Sequence, residues 1–255
     1  MAAQKLTIAF ATILACAASA AIAADWKPDK NVEIVVWSAP GGGLDRPARS
    51  MQKILQDKRL VEATSTVVNK AGGGGTVGLA YMNQHAGDAH YVSLASTVLV
   101  TNRILGVAET SHLDTTPLAL LAHDYMLIAV KADSPMKSGK ELLARLVKDP
   151  ASLSGGMTSR GGAAQITLGK ALKANGGDPK KPKLVVFKSG GEATTALLGG
   201  HVDYAITVVP SVMGQVQSGQ LRIIAIAAPQ RLTGPLANVP TLKEQGTDVM
   251  VSNWR

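Results

Sequence analysis

A triple-glycine turn is the strongest chemical signal in this chain of 255 residues. The apolar, β-branched run Val32–Val36 predicts a buried parallel strand, and Gly41–Gly43 follow it directly before a predicted helix over Asp45–Gln56. Glycines let a ligand approach the backbone closely, and the first N–H groups of a helix have no partner within the helix. A strand, a glycine turn and a helix start in this order are typical of an anion site.

Asp45 has two compatible interpretations. As the N-cap of the predicted helix it would contribute about 1 kcal/mol to helix stability. As a residue of the anion site it would hold a water molecule or a ligand hydroxyl. The glycines themselves also have a plainer interpretation, a tight strand-to-helix connection, although a single turning glycine would be enough for that.

Other segments supply polar groups of the same kind. Ser96 and Thr97 end a predicted strand over 91–95, at the sheet edge where open α/β sheets bind ligands; the alternative is an ordinary turn held by a hydroxyl. Gly72–Gly75 either shape the edge of a cleft or form a flexible surface loop.

The second half of the chain repeats the pattern. Arg160, in a glycine-rich turn predicted over 154–162, either binds a ligand carboxylate in a bidentate pair or is a surface arginine. Gly190, Gly191 and Thr194 repeat the helix-start arrangement and are expected to bind the opposite end of the ligand. Asp203 is interpreted as a structural partner at the start of a strand.

The motifs of several enzyme classes are missing from the sequence. The five histidines show no metal-ligand spacing, and there is no Gly-x-Ser-x-Gly nucleophile turn. A dinucleotide-binding enzyme is a weaker alternative, because the turn lacks the Gly-x-Gly-x-x-Gly spacing and Asn69-Lys70 stand where an acidic residue is expected. We expect no catalytic residues, no metal and no cofactor.

The first 23 residues are interpreted as a secretory signal peptide, which predicts a periplasmic protein. Lys5 precedes the apolar run 6–15, which is too short to span a bilayer, and Ala21-Ile22-Ala23 fits a cleavage site. Lipidation of Cys16, the single cysteine, is an alternative that Leu14 disfavours. The net charge of +8 suits anionic ligands, whereas no Lys/Arg cluster carries the interleaved aromatic residues of a nucleic-acid site.

Strand-like and helix-like stretches alternate along the rest of the chain, which predicts α/β architecture with parallel sheets. Apolar runs at 117–122 and 126–130 are interpreted as a segment that crosses between two lobes. Beyond it we expect helices over 140–147, 165–174 and 193–198, and strands over 183–187, 202–209 and 221–228, the last returning the chain toward the first lobe.

Five motifs occur in the order that resembles one family of extracytoplasmic receptors. They are Pro40-Gly41-Gly42-Gly43-Leu44-Asp45, Val68–Gly75, Phe187–Glu192, Leu197–Asp203 and Val239–Gly246. Together they are similar to the solute receptors of tripartite tricarboxylate transporters, or Bug receptors. The resemblance implies two Rossmann-like lobes joined by crossing strands, as in type II periplasmic binding proteins. It implies a receptor that closes like a hinge on a small organic acid and delivers it to membrane permease subunits, and we expect a monomer. Arg160 and the basic charge favour a di- or tricarboxylate, whereas amino acids or aromatic acids held by one carboxylate fit the same cleft chemistry.

We expect the chain to divide into a signal peptide (1–23), a first lobe (24–122), a second lobe (123–228) and an incomplete return segment (229–255). A typical member extends several dozen residues beyond Arg255, and many relatives have Ser and His where this chain has Ala163-Ala164-Gln165, so side-chain contacts there are not expected. A receptor for a sensory system is an alternative with the same binding chemistry. The residues expected to surround the ligand are Ser38, Gly41, Gly42, Gly43, Asp45, Gly74, Gly75, Ser96, Thr97, Ser159, Arg160, Gly161, Gly190, Gly191 and Thr194.

Overall fold

The computed structural model describes residues 26–254, so the predicted signal peptide and Cys16 lie outside the described residues. The described chain alternates strands and helices. The strands are β1 (Val32–Val36), β2 (Ser65–Asn69), β3 (Tyr91–Leu94), β4 (His123–Lys131), β5 (Ser154–Met157), β6 (Lys183–Val186), β7 (Tyr204–Val208), β8 (Leu221–Ile226) and β9 (Ser252–Trp254). The helices are α1 (Asp45–Asp57), α2 (Thr76–Gln84), α3 (Val98–Ile104), α4 (Gly139–Lys148), α5 (Ala163–Ala174), α6 (Gly190–Leu198) and α7 (Val209–Gln217).

The smaller sheet is parallel, with the strand order β2-β1-β3. Its central strand β1 is apolar because both of its faces are covered, and Ile34, Val35 and Val36 have no exposed surface. Trp37 and helices α1, α2 and α3 complete this core. The sheet and its helices form what we call the first lobe.

The larger sheet has the order β6-β5-β7-β4-β8 and forms the second lobe with α4 to α7. Strand β5 runs parallel to β6 and β7, whereas β4 is antiparallel to β7 and β8. The parallel strands β5, β6 and β7 therefore end at one edge of this sheet, and each is followed by a helix.

Strand β4 belongs to two pairings. Its first residues, His123–Tyr125, pair antiparallel with β9, and the following residues pair with β7 and β8. Trp254 of β9 packs against the core of the first lobe. The β4–β9 pair therefore lies between the two lobes and contacts both.

Three expected elements differ from the structure, and three elements of the structure were not expected. Residues 154–157 form strand β5 rather than part of a turn, because Gly155 leaves the space that the ring of Tyr204 occupies. Helices α3 and α7, which follow β3 and β7, and strand β9 were not expected from the sequence. Strand β8 stays in the larger sheet, next to β4, instead of returning to the first lobe. The apolar run 117–122 is exposed and has no regular secondary structure.

In the part of the chain that the structure describes, no helix is long and apolar enough to cross a membrane.

Candidate functional site

Two adjoining cavities lie where the strands of both lobes end. The inner cavity has a volume of about 70 Å³ and the outer cavity about 190 Å³. The inner cavity is lined by Ser38, Gly43, Leu44, Ser96, Thr97, Val98, Met126, Thr158, Ser159, Ala163, Ala164, Ser189, Gly190, Thr207, Val208, Ser211 and Asn253. The outer cavity is lined by Trp37, Ser38, Leu44, Gly72, Gly73, Gly74, Gly75, Ser96, Val98, Thr158, Ser159, Val186, Phe187 and Lys188. Since six residues line both cavities, the two are parts of one cleft.

Five helices begin at the wall of the inner cavity. Two of them, α1 and α3, belong to the first lobe, and α5, α6 and α7 belong to the second. Among the described residues, no side chain caps the start of α1, α3, α5 or α7. Backbone N–H groups of a helix start that lack a capping acceptor are available to an anion, and the helix dipole favours a negative charge there.

Hydroxyl groups supply further donors. The Oγ atoms of Ser38 and Ser211 are buried and have no hydrogen-bond partner among the described residues. A buried hydroxyl without a partner costs stability, about 1–3 kcal/mol, so a ligand that accepts from it restores a lost interaction. These two atoms come from different lobes and both belong to residues of the inner cavity wall.

The space beside Ser211 depends on Gly190. A Cβ atom at position 190 would clash with the Ser211 Oγ and would lie 2.8 Å from the Thr207 Oγ1. Glycine at the first position of α6 therefore lets α6 and α7 bring their starts together at the cavity.

Asp45 holds the triple-glycine turn in shape. Its Oδ2 accepts hydrogen bonds from the Gly41 N–H (2.8 Å) and the Arg49 Nε (3.0 Å), and its Oδ1 accepts one from the Asn69 Nδ2 (3.0 Å). The Asn69 Nδ2 also lies 3.0 Å from the backbone oxygen of Ser38. Asp45 thus connects the turn to the end of β2 and to α1.

The N-cap prediction for Asp45 is wrong, because Leu44 is the N-cap of α1 and Asp45 is the first residue of the helix. Burial alone would raise the pKa of the Asp45 carboxyl. The hydrogen bonds from Arg49, Gly41 and Asn69 outweigh burial and hold that pKa below its usual value.

The two lobes contact each other around the cleft. The Ala39 N–H donates to the backbone oxygen of Lys188 (3.3 Å), and the Thr97 N–H donates to the Asn253 Oδ1 (3.3 Å). These bonds join the glycine turn to the start of α6, and the start of α3 to β9. The two lobes are therefore in direct contact at the edge of the cleft.

Eight of the fifteen residues expected around the ligand line the cleft. They are Ser38, Gly43, Gly74, Gly75, Ser96, Thr97, Ser159 and Gly190.

The other expected residues lie behind the wall or outside it. Gly41 and Gly191 lie where the lobes meet, since a Cβ at position 191 would be 3.4 Å from the Gly41 oxygen. Thr194 is buried, with its Oγ1 2.7 Å from the Gly190 oxygen and 3.1 Å from the Ser211 oxygen. Arg160 is exposed and lines neither cavity.

Two further glycines also stand outside the wall. Gly42 faces the start of α6, because a Cβ there would lie 3.1 Å from the Ser189 Cβ. The Gly161 N–H donates to the Gln165 Oε1 (2.7 Å), so the Gln165 side chain supports the turn before α5. Asp203 accepts from the Ser154 N–H (2.7 Å), in agreement with a structural role at a strand start.

Several polar residues of the inner cavity were not expected from the sequence. Thr207 and Ser211 belong to the end of β7 and the start of α7, and Thr158 and Ser189 precede α5 and α6. Pro210 at the start of α7 was a usable signal, because proline is favoured in the first turn of a helix. Asn253 had no local signal, since it reaches the cleft through the pairing of β9 with β4.

Within residues 26–254, no group of three or more His, Cys, Asp or Glu side chains is placed to hold a metal ion. The cleft wall contains serine and threonine hydroxyls, glycine backbone and apolar side chains instead.

Comparison with known proteins identifies the family. The profile of the family described as "Tripartite tricarboxylate transporter family receptor" matches residues 48–254. The chain belongs to this family. Its relatives are solute receptors and not enzymes, and the sequence-based assignment to the Bug receptors is confirmed.

Individual relatives agree with this assignment. BugT of Bordetella pertussis is 26% identical over 248 residues, which are 92% of this chain and 72% of BugT. The solved structure of the periplasmic binding protein BugD is 25% identical, with a TM-score of 0.78 over 89% of this chain and 75% of that protein. MatC of Rhodopseudomonas palustris, solved with bound malate, is 26% identical, with a TM-score of 0.77 over 89% of this chain and 76% of MatC. The predicted fold class, an α/β receptor of the type II periplasmic binding protein kind, is confirmed.

Proposed function

We propose that this protein is a periplasmic receptor that captures a small organic carboxylate between its two lobes and delivers it to a tripartite tricarboxylate-type membrane permease. The observation that carries this proposal is the meeting of helix starts from both lobes at one small cavity. A ligand that accepts hydrogen bonds from both sides joins the lobes, and this is what a receptor that closes on its solute requires.

The chemistry of the inner cavity supports a carboxylate. Among the described residues that line its wall there is no acidic side chain, which favours an anion. Helix-start N–H groups and the hydroxyls of Ser38 and Ser211 supply the donors, and hydrogen bonds to a charged acceptor are about twice as strong as neutral ones. The relative MatC was solved with malate, a small carboxylate.

The proposed hinge is the β4–β9 pair. We assign the first lobe to residues 24–122, the second to residues 123–228, and the return segment to residues 229–255. The return segment contacts the second lobe through a bridge between Thr241 and Ile226, and the first lobe through Trp254. A ligand that binds the closed form more tightly than the open form shifts the population toward closure.

Residues 1–23 are proposed as the signal peptide that directs the protein to the periplasm, where a monomeric receptor would meet its permease. An uptake assay tests the delivery step. Cells that contain the permease should accumulate the labelled ligand only when the receptor is also present, and uptake that does not depend on the receptor would contradict delivery.

The number of carboxylates on the ligand was expected to be two or three, partly because of Arg160. The exposed position of Arg160 outside the cleft wall removes that support. The proposed function therefore requires one carboxylate in the inner cavity.

Calorimetric titration tests capture directly. The protein is stripped of ligand by unfolding and refolding, then titrated at pH 7 with a panel of mono-, di- and tricarboxylates. Ser211→Ala should weaken binding of the preferred acid about tenfold, because it removes one hydrogen bond to a charged group. Ser218→Ala, at the exposed C-terminal end of the same helix, is the matched control and should leave affinity unchanged. If no organic acid binds the refolded protein, or if both variants bind equally well, the proposal is wrong.

A further inference from the structure

The outer cavity differs from the inner cavity in size and in character. It is nearly three times larger, at about 190 Å³ against about 70 Å³. Its wall carries the apolar side chains of Trp37, Val98, Val186 and Phe187 together with glycine backbone. The hydroxyl residues of the outer wall, Ser38, Ser96, Thr158 and Ser159, also line the inner cavity and so lie where the two cavities adjoin.

Two apolar side chains at the outer cavity are incompletely covered by protein. Val186 is 43% exposed at the end of the edge strand β6, and Phe187 is only partly buried. Removal of their apolar surface from water is favourable, by roughly 25 cal/mol for each Å² covered. A ligand with an apolar body in this cavity would gain that free energy.

Charge does not offer an equivalent attraction there. Among the described residues, Lys188 is the charged residue of the wall, and it is exposed. Its ammonium is therefore in water, where an ion pair contributes little free energy, less than the burial of a bulky apolar group. The outer cavity therefore suits an apolar group better than a second carboxylate.

From these features we propose that the ligand is a monocarboxylate with a bulky apolar body, either an aromatic ring or a chain of several carbons. Its carboxylate occupies the inner cavity and its apolar body occupies the outer cavity, beside Trp37, Val186 and Phe187. This inference rests on the proposed function, because it assumes that the inner cavity holds the carboxylate.

The proposal predicts how affinity changes along a ligand series. Acetate, butanoate, hexanoate, benzoate and phenylacetate share one carboxylate and differ in apolar surface. Burial of each added methylene should strengthen binding about fourfold until the outer cavity is filled. Malate and citrate should bind more weakly than hexanoate, since their extra polar groups would lose water beside the apolar side chains of Val186 and Phe187.

A matched pair of variants tests the location of the apolar body. Val186→Thr keeps the shape of the side chain but replaces a methyl group by a hydroxyl, and it should weaken hexanoate and benzoate severalfold while acetate is unaffected. Val185→Thr is the control, because side chains alternate along a strand and Val185 is not part of the cavity wall. Both valines are on an exposed edge strand, so neither change should affect folding.

Calorimetric titration of the refolded protein with this series gives distinguishable outcomes. The proposal is supported if affinity rises with the apolar surface of the ligand, and if Val186→Thr weakens hexanoate and benzoate while Val185→Thr does not. If heptanedioate binds more tightly than hexanoate, a second carboxylate lies near Lys188 and the monocarboxylate proposal is wrong. The proposal is also wrong if malate or citrate is the tightest ligand. In both of these cases the proposed function stands, whereas failure of every carboxylate to bind contradicts the proposed function as well.

Discussion

Replacing Asp45 by asparagine should destabilise the protein by about 2–3 kcal/mol at pH 7. The carboxylate accepts three hydrogen bonds, from Gly41, Arg49 and Asn69, and an amide can accept at only one of its two ends. If the Oδ1 of the new asparagine keeps the hydrogen bonds from Gly41 and Arg49, its NH2 group faces the Asn69 Nδ2. Two hydrogen-bond donors then face each other. Rotation of the Asn69 amide would not help, because its Nδ2 also serves the Ser38 oxygen. One buried donor therefore loses its acceptor, at a cost of about 1–3 kcal/mol, and the weakened pairing with half-exposed Arg49 adds less than about 1 kcal/mol.

The assay is urea unfolding of the wild type and the variant from pH 7 to pH 2.5. Since the folded-state pKa of Asp45 lies below its unfolded value, its contribution is fully present above about pH 4 and is lost as the pH falls through the folded-state pKa. The difference between the two proteins should therefore be constant between pH 5 and pH 7 and shrink below about pH 4. Asp57→Asn is the control, because Asp57 forms an exposed pair with Lys53 at the other end of the same helix, and we expect a change below about 0.5 kcal/mol. A difference that is equal for both variants, or that does not shrink in acid, would refute this account of the turn.

Two glycine substitutions test the close contacts that shape the cleft. Gly190→Ala should lower the carboxylate affinity, and it should lower the unfolding free energy by about 1–3 kcal/mol, because the new methyl group would clash with Ser211. Gly214→Ala, at an open position in α7, is the control and should change neither quantity. Calorimetric titration measures the affinity and thermal melting measures the stability. Gly78→Ala should destabilise the first lobe by a similar amount, because its methyl group would overlap Trp37, and unchanged urea unfolding of this variant would show that α2 can move away from β1 at little cost.

The sequence predicted the start of the first lobe well because its signals are local, although helix α3 was missed. Val32–Val36 is apolar on both faces, and a glycine turn follows at once, so the strand and its helix were found within two residues of their ends. The hydroxyl of Ser96 was placed at the cleft because parallel strands end at a common edge, whereas Ser38 was placed there by the family resemblance.

The second lobe was harder to predict because its decisive contacts are distant in sequence. Gly155 and Gly156 indicate a turn when they are considered locally, but they form a strand, since the ring of Tyr204 fills the space beside Gly155. The start of α7, and with it Ser211, was missed because the apolar run of β7 continues into Val209 without a break.

The role of the charged residues could not be determined from sequence spacing. Arg160 has the right chemistry for a carboxylate, but the turn before α5 leaves it exposed and outside the cleft wall. Asp45 stands beside the glycines in sequence, but its carboxylate is occupied by hydrogen bonds that shape the turn. Only the folded contacts distinguish a residue that binds a ligand from one that supports the binding turn.

A crystal structure of the protein with its tightest carboxylate, chosen by titration, tests the central claim most directly. We predict carboxylate oxygens in the inner cavity, within hydrogen-bond distance of the Ser211 Oγ and of backbone N–H groups at the helix starts of both lobes. A carboxylate bound at Arg160 or elsewhere outside the cleft, with the inner cavity occupied only by water, would contradict the account.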